Sequence, residues 1–252
     1  MNYAYLLKAI LDVCEELIVS GAEVARAEDS VTRMCVSYEA RRIDVSVIAN
    51  NIQATLIGPD GTISTQIRSI KREGTNFDRL DLLNALSRRI CEEKPTPEEI
   101  EKMLKEVMTK PEGGQGLVVL GSVMVCGAYS CFFGGSWRDL IAASIMGCLI
   151  SLVLPLLQKR QDNKAALYFL ISLIAGVAAI LLIKAGIGVH VHNIMIAGIM
   201  IFIPGIAFTN AVRDVFVGDI ATGLLRLFDS LLVAAAIAGG FALSLILLGG
   251  LL

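Results

Sequence analysis

The sequence predicts an α-helical membrane protein with five transmembrane helices, preceded by a small cytoplasmic α+β domain. Three observations carry that expectation. Hydrophobic residues make up 55% of the 252, and the mean hydropathy is +0.67. Charge is placed unevenly, with only 12 of the 46 charged side chains after residue 113. Strand and turn patterning is confined to the charged part. Water is the expected solvent for residues 1–113 and lipid for residues 114–252.

Composition also excludes. A net charge of −2 and the lack of a basic stripe with interleaved aromatics leave no case for nucleic acid. The six cysteines form no CxxC pair and no Cys/His ligand spacing, so reduced free thiols are expected. Lys8, Asp12, Glu15 and Glu16 interrupt the first apolar stretch, which is therefore not read as a signal peptide.

Residues 3–36 carry Leu6, Leu7, Ile10, Leu11, Cys14, Leu17 and Ile18 at helical spacing, which predicts one amphipathic helix or a pair. Alternation at Ile43, Val45 and Val47 predicts a strand. A second run, 52–57, reaches the turn Gly58-Pro59-Asp60-Gly61, and a third, 62–70, completes an antiparallel three-stranded sheet. A helix follows over 76–92, with Phe77, Leu80, Leu83 and Ile90 on one face. Thr96, Pro97 and Glu99 mark the start of the next, whose buried stripe is Ile100, Met103, Leu104, Val107 and Met108. Pro111-Glu112-Gly113-Gly114 reads as a hinge into the membrane.

Chemistry in this domain is thin. Glu23 and Arg26, three apart, form either a sensing or hydrolytic site or a solvated ion pair. Residues 1–113 contain no His, no GxSxG and no phosphate loop. No catalytic residue, cofactor site or metal site is expected, and the protein is read as a non-enzyme.

Five charge-free runs follow: 115–137, 140–158, 165–183, 185–212 and 230–252. The fourth contains His190 and His192, and its span is placed at 190–208. Lys159, Arg160, Lys164, Arg213 and Arg226 fall in loops on one side and Arg138 and Lys184 on the other. The positive-inside rule then puts the N-terminus in the cytoplasm of a multi-pass protein of the plasma or inner membrane. Recurrent small residues, among them Gly121, Gly127, Ala142, Gly147, Gly176, Gly198 and Gly240, predict a closely packed bundle.

The segment 204–229 holds five of the twelve late charges: Arg213, Asp214, Asp219, Arg226 and Asp229. A charge at the bilayer centre costs roughly 2.5–3.5 kcal/mol, so charges beside spans are commonly cytoplasmic or functional. Pro204-Gly205 interrupts the helix that leads in. If neither Gly218 nor Gly223 breaks it, a helix over 210–229 aligns Asp219, Thr222, Arg226 and Asp229, with Asn210 and Asp214 on a neighbouring strip. Carboxylates suit an ammonium group or a proton, and Arg suits a carboxylate. The candidate substrate-binding set is Pro204, Gly205, Asn210, Arg213, Asp214, Asp219, Arg226 and Asp229. The competing reading is an amphipathic cytoplasmic helix with solvated charges. His190 and His192 lack a third ligand and read as loop polarity, Trp137 with Arg138 as an interfacial anchor, and Asp139 as a lesser candidate.

The stretch SGAEVARAED, the hairpin region, FGGSW, and PG-x4-N-x3-D-x4-D-x3-G-x2-R (Pro204, Gly205, Asn210, Asp214, Asp219, Gly223, Arg226) resemble the threonine/serine exporter family across nearly the whole chain. The resemblance implies a cytoplasmic domain and five-span module, completed in the split two-component form by a small multi-span subunit. It also implies export of threonine, serine or a dicarboxylate such as succinate. Since no nucleotide-binding motif is present, an ion gradient, most simply protons, is expected to drive export. The alternatives are a structural or regulatory subunit and a membrane-anchored hydrolase.

Overall fold

The computed structural model of the protein describes residues 2–48, 51–70, 74–111, 113–161 and 163–251. Glu112 of the expected hinge, Asp162 of the basic loop and Leu252 of the last run lie outside these. The chain divides into two compact units, Met1–Glu112 with Asp214–Thr222, and Gly113–Arg213 with Gly223–Leu252.

In the first unit the opening amphipathic stretch forms two helices, α1 (Tyr3–Val19) and α2 (Val24–Ser37). Asn2 caps α1 by accepting from the Ala4 and Tyr5 amides. Gly21, at φ +100, turns the chain between them, a conformation that favours glycine. Strands β1 (Arg42–Ile48), β2 (Asn51–Ile57) and β3 (Ile63–Ser69) form an antiparallel sheet in that order. The register pairs Ile43 with Leu56, Val45 with Ala54 and Val47 with Ile52, which puts one apolar set on one face. Helices α3 (Phe77–Glu93) and α4 (Pro97–Thr109) complete the unit. The α4 capping box is present: the Thr96 amide donates to Glu99 Oε2 at 2.7 Å, and the Glu99 amide donates to Thr96 Oγ1 at 3.4 Å.

One core joins these elements, with Leu6, Ile10, Met34, Ile52, Leu56, Leu83, Ile90 and Ile100 fully buried. Truncating any of them to Ala removes about 2–5 kcal/mol. Phe77 departs from the expected stripe and is exposed. It is the first residue of α3, next to the Asn76 cap, and the side chain of a helical residue lies over the turn N-terminal to it, which here is not helix. Lys8 ties α1 to α4 through Glu101 at 2.5 Å, and Asp12 of α1 meets Arg68 of β3 at 3.3 Å.

In the rest of the chain, α5 (Gln115–Phe132), α6 (Trp137–Gln158), α7 (Lys164–Lys184) and α10 (Ile220–Leu248) are each long and apolar enough to cross a membrane. The pair α8 (Val191–Phe202) and α9 (Gly205–Val217) is bent by 56° and reaches that length only as one broken span. Helix α10 begins at Ile220, well before the charge-free run, so Arg226 and Asp229 lie within a helix that continues into it.

Small residues set the closest approaches. A Cβ on Gly147 of α6 would come within 2.5 Å of the Ser122 carbonyl of α5, and one on Gly127 within 2.7 Å of Ser144 Oγ. Helices α7 and α10 share two such contacts, Gly240 against Ser172 and Gly176 against Ser244. The serine hydroxyls donate inside their own helices, Ser172 Oγ to the Tyr168 carbonyl at 2.7 Å and Ser244 Oγ to Phe241 at 2.6 Å. They can therefore line the seam without an unmet donor. Gly121 was expected to pack in the same way but faces open space.

Candidate functional site

The broken span is explained by its sequence. Pro204 has no N–H to donate and disfavours helical geometry in the residue before it, and Ile203 accordingly has ψ 121. The Gly205 amide turns back to the Ile203 carbonyl at 2.7 Å, and the new helix opens with the Phe208 amide donating to the Pro204 carbonyl at 2.8 Å. Thirteen residues later α9 ends at Gly218, whose φ of +105 suits glycine. The Asp219 amide closes that end on the Asp214 carbonyl at 2.9 Å.

This corrects the continuous helix considered for 210–229. Gly218 breaks it, while Gly223 sits inside α10. Asn210, Arg213 and Asp214 belong to α9, Asp219 lies between the helices, and Arg226 and Asp229 belong to α10. Thr222, Arg226 and Asp229 still share a face, but Asp219 is no longer on their helix. Asp214 is 7% exposed. Asn210, Asp219 and Arg226 are half-buried, whereas Arg213 and Asp229 are exposed. Thr222 is fully buried, and its Oγ1 has no hydrogen-bond partner. Asp214, Asp219 and Thr222 fall in the first unit, and Asn210, Arg213, Arg226 and Asp229 in the second. Taken singly, a carboxylate suits an ammonium group and a guanidinium suits a carboxylate.

In the first unit the SGAEVARAED stretch places Glu23 at the α2 N-cap and Glu28 one turn into the helix. Glu28 accepts the Val47 amide at 2.7 Å. Burial pushes its carboxyl above the usual range, the Val47 N–H opposes this, and the Asp219 carboxylate adds to it. Burial also pushes the Cys14 and Cys35 thiols up to about 12, which leaves them poor nucleophiles at neutral pH.

A second polar centre lies at the α5–α6 and α7–α8 connections, around Asp139, a lesser candidate on sequence alone. Gly134, at φ +84, ends α5. A Cβ on Gly135 would fall 2.6 Å from the Ser130 carbonyl, so only glycine fits there without movement. Ser136 and Asp139 form a capping box at the start of α6. Asp139 has no solvent exposure. Its Oδ2 accepts from the Ser136 amide at 2.8 Å and the Ser136 hydroxyl at 2.7 Å. Its Oδ1 accepts from the amides of Val189 at 2.7 Å and His190 at 2.8 Å, and His190 Nδ1 lies 2.8 Å from Oδ2. FGGSW is thus the framework for a buried carboxylate. Ser-x-x-Asp was a readable signal for the cap, but nothing in the sequence pointed to His190 as its partner. Among the described residues no group of three or more His, Cys, Asp or Glu could hold a metal ion.

With this geometry in view, comparison with known proteins assigns the chain. Residues 8–248 match the family described as "Putative threonine/serine exporter". The chain belongs to that family. It is 25% identical to the threonine/serine exporter of Corynebacterium glutamicum over 91% of its own length and 48% of that protein. It is 22% identical to the "Probable threonine/serine exporter" of Mycobacterium tuberculosis, over 95% of the chain and 46% of that protein. It is 23% identical to the "Probable succinate transporter subunit YjjP" of Klebsiella aerogenes, over 92% of the chain and 90% of that protein. The family member described here therefore spans about half the length of the two exporters it matches. No solved structure matches it.

Proposed function

We propose that the protein is a membrane subunit of a secondary transporter that exports small carboxylate-bearing metabolites of the threonine/serine type. The observation that carries this reading is the broken span: a 56° bend at Pro204 followed, within one short helix, by Asn210 and the buried Asp214. Discontinuous helices free backbone groups and turn a helix N-terminus toward an anionic group. In this reading Arg226 and Arg213 recognise the carboxylate, and Asp214, Asp219 or Asp229 takes the ammonium group or a coupling proton. Pro204 and Gly205 supply the broken backbone. The first unit faces the cytoplasm, in line with the loop charges, and an ion gradient drives export.

A dicarboxylate substrate is the second reading, favoured by the relative named as a succinate transporter subunit and matched over 90% of its length. That name also supports the proposal that a small multi-span partner completes the transporter. Efflux from vesicles loaded with threonine, serine or succinate tests both readings. Asp219→Asn and Arg226→Ala, at normal expression, are expected to lower efflux of one of these by about tenfold or more. Unchanged efflux in both variants overturns the assignment.

A further inference from the structure

The Asp139 centre is built differently from a substrate pocket. The carboxylate is sealed from solvent, and both oxygens are filled by N–H and O–H donors from Ser136, Val189 and His190. Such a shell repels cations and leaves no lone pair for a metal. The imidazole differs from the other donors. His190 places Nδ1 on the buried oxygen while its side chain is 50% exposed. One ring nitrogen is thus committed to the carboxylate and the ring still reaches water.

We propose that the Asp139–His190 pair is a proton-binding latch, in which protonation of His190 tightens the hold of α6 on the loop between α7 and α8. The step adds one proton from water to Nε2 of the neutral Nδ1–H tautomer, and the carboxylate stays ionised. The hydrogen bond, already charge-assisted by its ionised acceptor, gains a charged donor as well and becomes an ion pair. The held segment is the loop itself, because the Val189 and His190 amides donate to the other oxygen of the same carboxylate. Loosening the carboxylate therefore frees the backbone where the broken span begins.

At the ends of the converging elements that carry this centre, the other titratable or charged groups are Tyr129 and Cys131 of α5, Arg138 of α6, Lys184 of α7 and His192 of α8, all exposed. Arg138 donates to the Gly186 carbonyl and so grips the same loop without titrating. Asp139 is the sole acid among these groups. Buried Ser130, whose Oγ has no partner among the described residues, lies against the Gly135 turn.

As a step in transport this latch rests on the proposed function, but its physical test does not. Hydrogen exchange at the Val189 and His190 amides is measured on the full chain in lipid nanodiscs, corrected for intrinsic exchange. Readings at about pH 5.5 and about pH 8 bracket the range in which imidazoles ordinarily change charge. Wild-type protection is expected to be on the order of five- to tenfold greater at the lower pH. His190→Asn, whose amide can still donate, should lose that step, and Asp139→Asn should show low protection at both pH values. Equal wild-type protection at the two pH values overturns the latch, as does a step that persists in His190→Asn. Should Asp139→Asn not fold, the His190→Asn result decides alone. Absence of efflux for every substrate tested would overturn the transporter reading and leave the exchange result standing.

Discussion

Asp139 and Asp214 are both buried acids on helices of an apolar region, yet the backbone around them is handled in opposite ways. Asp139 sits in the first turn of a long helix, where the dipole favours an anion, and two connections supply donors to it. Asp214 sits near the end of a thirteen-residue helix with a break on either side, at Pro204 and Gly218. The first arrangement fixes backbone from distant parts of the chain. The second sets a short helix between a proline break and a glycine of positive φ. Burial is thus common to the two acids, and the continuity of the backbone that carries them is what separates them.

The sharpest way to break this comparison is to remove the fixed acid. Asp139→Ala leaves a set of buried donors without an acceptor and is expected to destabilise the protein by about 3–5 kcal/mol. Thermal unfolding in detergent reads this directly. A loss below about 1 kcal/mol would mean that the loops hold themselves.

The next effect concerns the glycine seam between α5 and α6. Gly147→Ala forces a methyl toward the Ser122 carbonyl and should cost about 1–3 kcal/mol. Gly121→Ala, on the same pair of helices but facing open space, should be neutral or stabilising by up to about 1 kcal/mol. Similar unfolding temperatures for the two would contradict the packing described.

Gly218→Ala is expected to cost about 1–2 kcal/mol, because φ +105 strains any residue with a Cβ although nothing crowds the site. Gly223→Ala, in helical backbone, does not carry that strain.

The smallest effect lies in the first unit. A carboxyl whose folded pKa is raised contributes stability that is full below its unfolded pKa and is lost as pH rises through the folded value. Glu28 is such a group. Glu28→Gln keeps an acceptor for the Val47 amide and removes the desolvated charge. It should raise the unfolding temperature slightly at neutral pH and flatten the decline between acid and neutral pH.

Much of this was legible in the chain. The break at Pro204 follows from ring chemistry, and the Thr96 cap follows from local spacing. The three strands follow from alternation bounded by Gly58-Pro59-Asp60-Gly61. What was not legible was decided by tertiary placement. Gly218 and Gly223 are equivalent on paper, and only one takes a positive φ. Asp139 and His190 are 51 residues apart, so no local pattern joins them. Phe77 has the right period for the core but lies one turn too early to reach it.

In the proposed function, the short helix between the two breaks handles substrate. Its most direct test is efflux of threonine, serine and succinate from vesicles containing Asp214→Asn, with insertion and unfolding temperature matched to wild type. A loss of about tenfold or more for one of the three is expected, because the change removes a buried charge while keeping its shape. Efflux at the wild-type rate for a substrate that the wild type exports would contradict the account.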